Sequence, residues 1–199
     1  MISSASESET VHSSTTLAAF LALLFARSSA ELVDLGPVIG ANVAFLGERI
    51  GCKIHVEDLY ADLDRHAADD ALERLPEFLE RRLALADASV DAVLGWDIFD
   101  YLTPAAARVL AGELIRVLRP GGALLGFFGG GGLDDRCYTK YVIEDEAHLR
   151  RRCYAAACRR ETVLQNRDIA TLFAPLELFA SVLLKSGVRE VLFRKPGHD

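Results

Sequence analysis

The feature that most constrains this chain is the alternation of short apolar segments with longer segments of helical spacing. Residues 30–35, 90–96 and 123–128 are apolar runs of strand length, each followed by glycine or aspartate. Apolar runs this short are typical of strands buried on both faces of a sheet. Because strands separated by helices are joined by right-handed crossovers, we predict an α/β fold with a mostly parallel sheet.

Helix signals lie between these segments. Residues 41–50 place apolar side chains at helical spacing and are followed by Gly51, a residue type that commonly ends helices. Thr103 and Pro104 supply the cap and the first turn of a helix over 105–118. The other predicted elements are a helix over 15–27, a strand over 53–57, helices within 58–83 broken at Pro76, and a short helix beginning near Asn166.

The end of the chain has the pattern of an antiparallel hairpin. Apolar residues alternate along 176–185, Ser186 and Gly187 supply a turn, and a second strand-like run covers 188–195. Residues 133–165 are much less regular. We expect this stretch to form a lid or a substrate-side insertion.

The length of the chain, 199 residues, suits one domain with a full core. We predict a flexible tail over residues 1–14, which are rich in serine, glutamate and threonine, and a single domain over 15–199. The apolar segment 17–26 has no lysine or arginine before it and is too short to span a bilayer. We therefore predict a buried helix there, with no membrane association.

Charge and cysteine content exclude some classes of function. The net charge of −7 argues against general nucleic-acid binding. The four cysteines lack the spacing of a zinc site, and a domain of this size needs no disulfides. We expect reduced thiols, no metal and a cytoplasmic protein. If the helix within 17–26 is not fully covered, it is the expected contact of a homodimer.

Three segments together carry a more specific pattern. They are Val33–Gly40, the acidic strand end Val56–Asp58, and the long run from Ser89 to Gly122, which closes with Leu-Arg-Pro-Gly-Gly. With these segments the chain resembles the class I S-adenosylmethionine-dependent methyltransferases of the methyltransferase type 11 kind. The resemblance covers about 15–128 and the closing hairpin. It implies a Rossmann-like three-layer α/β/α sandwich with S-adenosylmethionine as the cofactor.

The resemblance also implies which residues hold the cofactor. Glycines at a strand-to-helix turn let the backbone approach a ligand, and the helix amino end faces it, so Gly36 and Gly40 are implied contacts. Asp34, or backbone carbonyls of the same loop, would favour the ammonium group of the cofactor. Glu57 is implied to accept the ribose hydroxyls, with Asp58 as its rival.

The end of the third apolar run falls where members of this family line the cofactor and acceptor pocket. Trp96 and Asp97 occupy that position. Methyl transfer asks mainly for in-line positioning, because the sulfonium is already a good leaving group. If a base is needed, the candidates are Asp97, Asp100, Tyr101 and His148. The expected function is methyl transfer to a small-molecule or biosynthetic acceptor.

Two departures from the family pattern leave alternatives open. Val38 stands where the family has a glycine, and its branched Cβ disfavours positive φ. The link 83–89 is too short and irregular for the third strand of the family. A catalytically inactive binding domain is therefore one alternative. A nicotinamide-dependent oxidoreductase is another, although the chain lacks Gly-x-Gly-x-x-Gly.

Overall fold

The computed structural model describes residues 9–129, 136–161 and 164–197, which form two sheets and six α-helices. The elements in chain order are β1 (Thr10–Ser13), α1 (Thr15–Phe25), β2 (Glu31–Asp34), α2 (Gly40–Ile50), β3 (Lys53–Val56), α3 (Leu59–Ala68), α4 (Leu75–Arg82), β4 (Val90–Trp96), α5 (Pro104–Val117), β5 (Leu118–Phe128), β6 (Cys137–Asp145), β7 (His148–Ala155), α6 (Asn166–Leu172), β8 (Glu177–Leu183) and β9 (Arg189–Arg194).

The main sheet has six strands in the order β3-β2-β4-β5-β9-β8. The first four strands are parallel, β9 runs antiparallel to β5, and β8 runs antiparallel to β9. The predicted parallel sheet with a terminal antiparallel hairpin is therefore confirmed. Parallel strands put their carboxyl ends at one edge, which we call the carboxyl edge.

Two hydrophobic cores lie on opposite faces of this sheet. Leu32 of β2 belongs to one core, with α1 and α2, while its neighbour Val33 belongs to the other, with α3, α4, α5 and α6. Successive strand residues point to opposite faces, so both faces are covered. The expected three-layer α/β/α sandwich is confirmed. Among the described residues, no helix is long and apolar enough to cross a membrane.

The local signals in the sequence act as expected. Gly51 ends α2 in a left-handed conformation with φ of 60°, and the Thr103 hydroxyl accepts a hydrogen bond from the Ala106 N–H at the start of α5. Pro76 does not break a helix, because it lies in the first turn of α4, where its missing N–H costs nothing. The link 83–89 contains no strand, so the family's third strand is absent.

A second, three-stranded sheet corrects the expected bounds of the flexible tail. It has the order β1-β7-β6, with β6 and β7 as an antiparallel hairpin inside the stretch 133–165. Residues 10–13 are not part of a flexible tail, because β1 pairs with β7 through the backbone, which composition does not reveal. Residues 1–8, 130–135, 162–163 and 198–199 lie outside the described residues. We call the three-stranded sheet the cover.

The cover also changes the interpretation of the cysteines. Cys137 on β6 and Cys153 on β7 form a disulfide, with their Cα atoms 5.7 Å apart. The expectation of four reduced thiols is wrong for this pair, because the hairpin that brings them together was not recognised in the sequence. Cys52 and Cys158 are free.

A buried glutamate ties the amino-terminal segment to the main sheet. Glu190 on β9 is fully buried and binds His12 Nε2 at 3.0 Å and the Ser14 hydroxyl at 2.6 Å, and it also accepts from Thr16. Burial alone would raise the pKa of Glu190, but these three hydrogen bonds outweigh burial and hold it below its ordinary value of 4.5. The ionised carboxylate therefore anchors β1 and α1.

Glu190→Gln is expected to lower the free energy of unfolding by roughly 3 kcal/mol at pH 7, because a buried ionic acceptor is lost. Since the folded pKa of Glu190 is depressed, its contribution is complete above the ordinary value of 4.5 and disappears as the pH falls through the lower folded value. Urea unfolding at several pH values measures this. Glu177→Gln, at an exposed position on β8, is the control. An equal loss in both variants would contradict the anchor.

Candidate functional site

The acidic residues singled out in the sequence meet at the carboxyl edge. Strands β3, β2 and β4 are adjacent and parallel, so Asp34, Glu57 and Asp97 lie at or just after neighbouring strand ends. The Glu57 N–H donates to the Asp34 carbonyl at 2.8 Å, which fixes the first two ends together. The fold therefore brings the predicted cofactor residues to one place.

Asp34 is buried between the loop and the indole of Trp96. Its Oδ1 accepts from the Gly36 N–H at 2.9 Å and from Trp96 Nε1 at 2.6 Å. Burial raises the pKa of Asp34 to about 6, although both hydrogen bonds act in the opposite direction. Asp34 therefore titrates close to neutral pH.

Trp96 covers the glycine that the cofactor loop was expected to leave open. A Cβ placed on Gly36 would lie 2.7 Å from Cδ1 of Trp96, so only glycine tolerates this contact. Trp96 has φ of 46°, a left-handed conformation that bulky residues rarely adopt. Its ring stacks on Tyr141 of the cover, with ring centroids 5.3 Å apart and planes 5° apart. The indole thus fills the space between the loop and the cover.

The rest of the loop is more open. The side chain of Val38 is 69% exposed, so Val38 does not obstruct the carboxyl edge. Gly40 begins α2, and a Cβ there would meet no atom within 4 Å. Asp58 caps α3, since its carboxylate accepts from the Ala61 N–H at 3.2 Å. Asp58, the alternative to Glu57 as the residue that accepts the ribose hydroxyls, therefore caps α3.

Glu57 is paired with Arg82, at the end of α4. One guanidinium N–H of Arg82 donates to the Glu57 carboxylate, and another donates to the Glu57 carbonyl at 2.6 Å. Arg82 Nε also donates to Asp62 at 2.7 Å. The oxygen atoms expected to accept ribose hydroxyls thus already bind a protein cation.

A second buried ion cluster follows β4. Arg160 donates to Asp97 at 2.9 Å and to Asp100, and Asp97 also accepts from the Tyr60 hydroxyl at 2.6 Å. Both carboxylates are almost fully buried. Burial raises the pKa of Asp100 to about 7, while Arg160 lowers it and Asp97 raises it further.

The predicted base candidates are therefore all engaged. Asp97 and Asp100 hold Arg160, whose guanidinium lies over the ring of Tyr101 at 4.9 Å. The Tyr101 hydroxyl donates to the Cys137 carbonyl at 2.6 Å. His148 is the exposed first residue of β7 and bonds Asp145 at 2.9 Å. Tyr101 therefore joins the carboxyl edge to the cover, whereas His148 lies at the surface.

Sequence reasoning missed Arg82, Arg160 and Tyr141. Arg82 and Arg160 each sit in a run of arginines, and nothing in such a run marks the one whose side chain turns inward. Tyr141 lies in the segment 137–145, where apolar and polar residues partly alternate. That alternation was the signal for a strand, but it could not show what the strand would cover.

Comparisons with known proteins agree with this fold. Residues 33–126 match the profile of the family described as Methyltransferase domain. No protein among those of curated function matches the chain in sequence. Solved structures match at low identity, and a likeness at this level shows the fold.

Three such structures illustrate the likeness. A 1,6-didemethyltoxoflavin-N1-methyltransferase from Burkholderia thailandensis with bound S-adenosylhomocysteine is 19% identical, with a TM-score of 0.53 over 92% of this chain and 79% of that one. The N-methyltransferase NodS from Bradyrhizobium japonicum is 15% identical, with a TM-score of 0.53 over 90% of this chain and 94% of that one. A SAM-dependent methyltransferase from Aquifex aeolicus is 15% identical, with a TM-score of 0.52 over 89% of this chain and 88% of that one.

The residues at the carboxyl edge do not fit a bound cofactor as they are arranged. The indole of Trp96 lies against Gly36, and Arg82 holds the Glu57 carboxylate. Arg82 lines a surface cavity of about 370 Å³ and Tyr101 lines another of about 250 Å³, but Asp34, Gly36 and Glu57 line neither. The chemistry of the residues suits the cofactor, but their positions in this structure close the site.

Titration of Asp34 is expected to change the fluorescence of Trp96, the only tryptophan, with a midpoint near pH 6. The carboxylate accepts the indole N–H above this pH and is protonated below it, so the hydrogen bond weakens as the pH falls. A fluorescence titration of Asp34→Asn should lack this transition, and the exposed Asp69→Asn should keep it. A midpoint near pH 6 that persists in Asp34→Asn would contradict the assignment.

Arg160→Met is expected to lower the free energy of unfolding by about 3–5 kcal/mol, because Asp97 and Asp100 would stay buried without their cation. Urea unfolding measures the loss, and Arg108→Met, at an exposed position of α5, is the control. If the two variants were equally stable, the buried cluster would not hold the carboxyl edge together.

Proposed function

We propose that this chain is a class I S-adenosylmethionine-dependent methyltransferase, from the match of residues 33–126 and from its fold, and that its methyl acceptor is a small molecule. S-adenosylmethionine is the cofactor of this class. The observation that carries the proposal is the meeting of Asp34, Glu57 and Asp97 at the carboxyl edge within the matched region.

The cover supports an acceptor of small size. It packs beside α2, where the Asn42 side chain donates to the Tyr141 carbonyl and accepts from the Ile143 N–H, both at 2.8 Å. The ring of Tyr141 stacks on Trp96 at the end of β4. Large acceptors such as folded proteins or duplex nucleic acids would have to displace this cover, whereas a small molecule needs only a local opening.

The charged surface of the cover also favours a small acceptor over a nucleic acid. Arg150 pairs with Glu9 and Glu144, and Arg152 pairs with Glu9. The charge of these arginines is therefore partly neutralised. The net charge of −7 also argues against a nucleic acid as the acceptor.

The proposed roles of the site residues follow from their contacts. Asp34, Gly36, Gly40 and Glu57 are the proposed cofactor residues, and Asp58 supports them by capping α3. Asp97, Asp100 and Tyr101 are the proposed acceptor-side residues. All three already bind other residues of this chain, so their proposed part is to orient Arg160 and the cover. The proposal therefore requires no strong base from this chain for the acceptor nucleophile.

One observation favours a second candidate, a methyltransferase-like domain that binds a partner without catalysis. Trp96 and Arg82 already satisfy Asp34 and Glu57 inside the protein. A domain that had lost its cofactor would retain such contacts as ordinary core interactions. Cofactor binding separates the two candidates.

Calorimetric titration of the full chain with S-adenosylhomocysteine is expected to show saturable binding, and titration with reduced nicotinamide dinucleotide is expected to show none. Hydrogen exchange with bound S-adenosylhomocysteine should slow at residues 34–40 and 57–58, where the ligand would cover the backbone, and stay unchanged in α6 (Asn166–Leu172). Absence of binding at millimolar S-adenosylhomocysteine, in the wild type and in every variant at the carboxyl edge, would favour the second candidate.

A further inference from the structure

The groups that close the carboxyl edge resemble the groups of the cofactor in their hydrogen-bonding chemistry. The indole N–H of Trp96 donates to Asp34 at 2.6 Å, as an ammonium group would. The guanidinium of Arg82 donates to the Glu57 carboxylate, as ribose hydroxyls would. Each internal donor therefore satisfies a carboxylate that the cofactor would otherwise satisfy.

The same contacts account for two features that the fold alone does not require. Gly36 must lack a Cβ because the indole lies on it, at 2.7 Å from the Cβ position. Trp96 adopts a left-handed φ of 46°, and such a conformation in a bulky residue persists only where the surroundings enforce it. Tyr141 stacks on the indole and so restricts where the Trp96 side chain can lie.

We propose that Trp96 and Arg82 are internal substitutes for the cofactor, which hold the carboxyl edge in a closed state and must leave Gly36 and Glu57 before S-adenosylmethionine binds. This inference rests on the proposed function, because it concerns the same site. The carboxylate oxygens that Trp96 and Arg82 occupy, on Asp34 and Glu57, are those that the cofactor would bind.

The two contacts differ in how easily they open. The side chain of Arg82 is 26% exposed and that of Glu57 is 19% exposed, so their ion pair is only partly removed from water. Asp62 keeps a bond from Arg65 at 2.6 Å when Arg82 leaves. Trp96 is 3% exposed and lies under Tyr141, so its release also requires the cover to shift. Arg82 is thus the weaker closing contact.

Closure lowers the apparent affinity for the cofactor. For a ligand that binds only the open state, the apparent dissociation constant equals the intrinsic dissociation constant divided by the fraction of molecules that are open. Removing a closing contact raises that fraction without removing a cofactor-binding group. A variant that loses Arg82 should therefore bind more tightly than the wild type, the opposite of what loss of a binding residue would do.

The test is calorimetric titration of four full-length proteins with S-adenosylhomocysteine. Arg82→Ala is expected to bind about tenfold more tightly than the wild type. Arg81→Ala, at the adjacent exposed position of the same helix, is the matched control and should match the wild type. Trp96→Phe keeps an aromatic ring but removes the N–H donor to Asp34, so it should also bind more tightly.

Acrylamide quenching of Trp96 gives an independent readout in the wild type and in Arg82→Ala. The buried indole should be protected without ligand and become more accessible when S-adenosylhomocysteine saturates the protein. This readout uses the single tryptophan and does not depend on catalysis. Thermal unfolding of each variant verifies that it is folded before the titration.

The outcomes separate the inference from the proposed function. If the wild type binds and Arg82→Ala binds equally or more weakly, the closing role of Arg82 is overturned and the proposed function stands. If Trp96 quenching stays unchanged at saturation, its role as a substitute is overturned. If none of the four proteins binds S-adenosylhomocysteine, the proposed function fails and the inference falls with it.

Discussion

Buried carboxylates at the carboxyl edge need donors from the protein, and this requirement organises the rest of the structure. Asp34, Asp97 and Asp100 are almost completely removed from water. An uncompensated charge in such a place is strongly unfavourable, so each must be satisfied or neutralised. Trp96 and Arg160 supply the donors, and burial keeps the pKa values of Asp34 and Asp100 near 6 and 7. The carboxyl edge is therefore held by polar contacts in a dry environment.

The cover is joined to the carboxyl edge by side-chain contacts. Its strands bring Tyr141 onto Trp96, and the Tyr101 hydroxyl donates to the carbonyl of Cys137 at the start of β6. The cover thus joins both cores, since Tyr138 packs in one and Tyr141 in the other. A methyltransferase fold and a closed carboxyl edge coexist here because the fold is fixed by the sheet, while closure depends on a few side chains.

Most of the fold could be predicted from the sequence, and the exceptions share a cause. The strands at 90–96 and 123–128 and the helix after Thr103 carry local apolar patterns and caps, and these were confirmed. Residues 10–13 and 137–155 were missed as strands. Their pairing depends on backbone contacts between segments more than a hundred residues apart or on weak alternation, which local patterns do not encode.

The sequence by itself determined the order of the elements that build the main sheet and the acidic residues that follow its parallel strands, because apolar periodicity and chain direction fix where strand ends lie. Only the tertiary structure decided what those residues bind. Arg82 is 25 residues from Glu57 and Arg160 is 63 from Asp97, so neither pairing has a local signature. A buried carboxylate is paired with a donor that the fold places nearby, and which donor that is depends on packing in three dimensions.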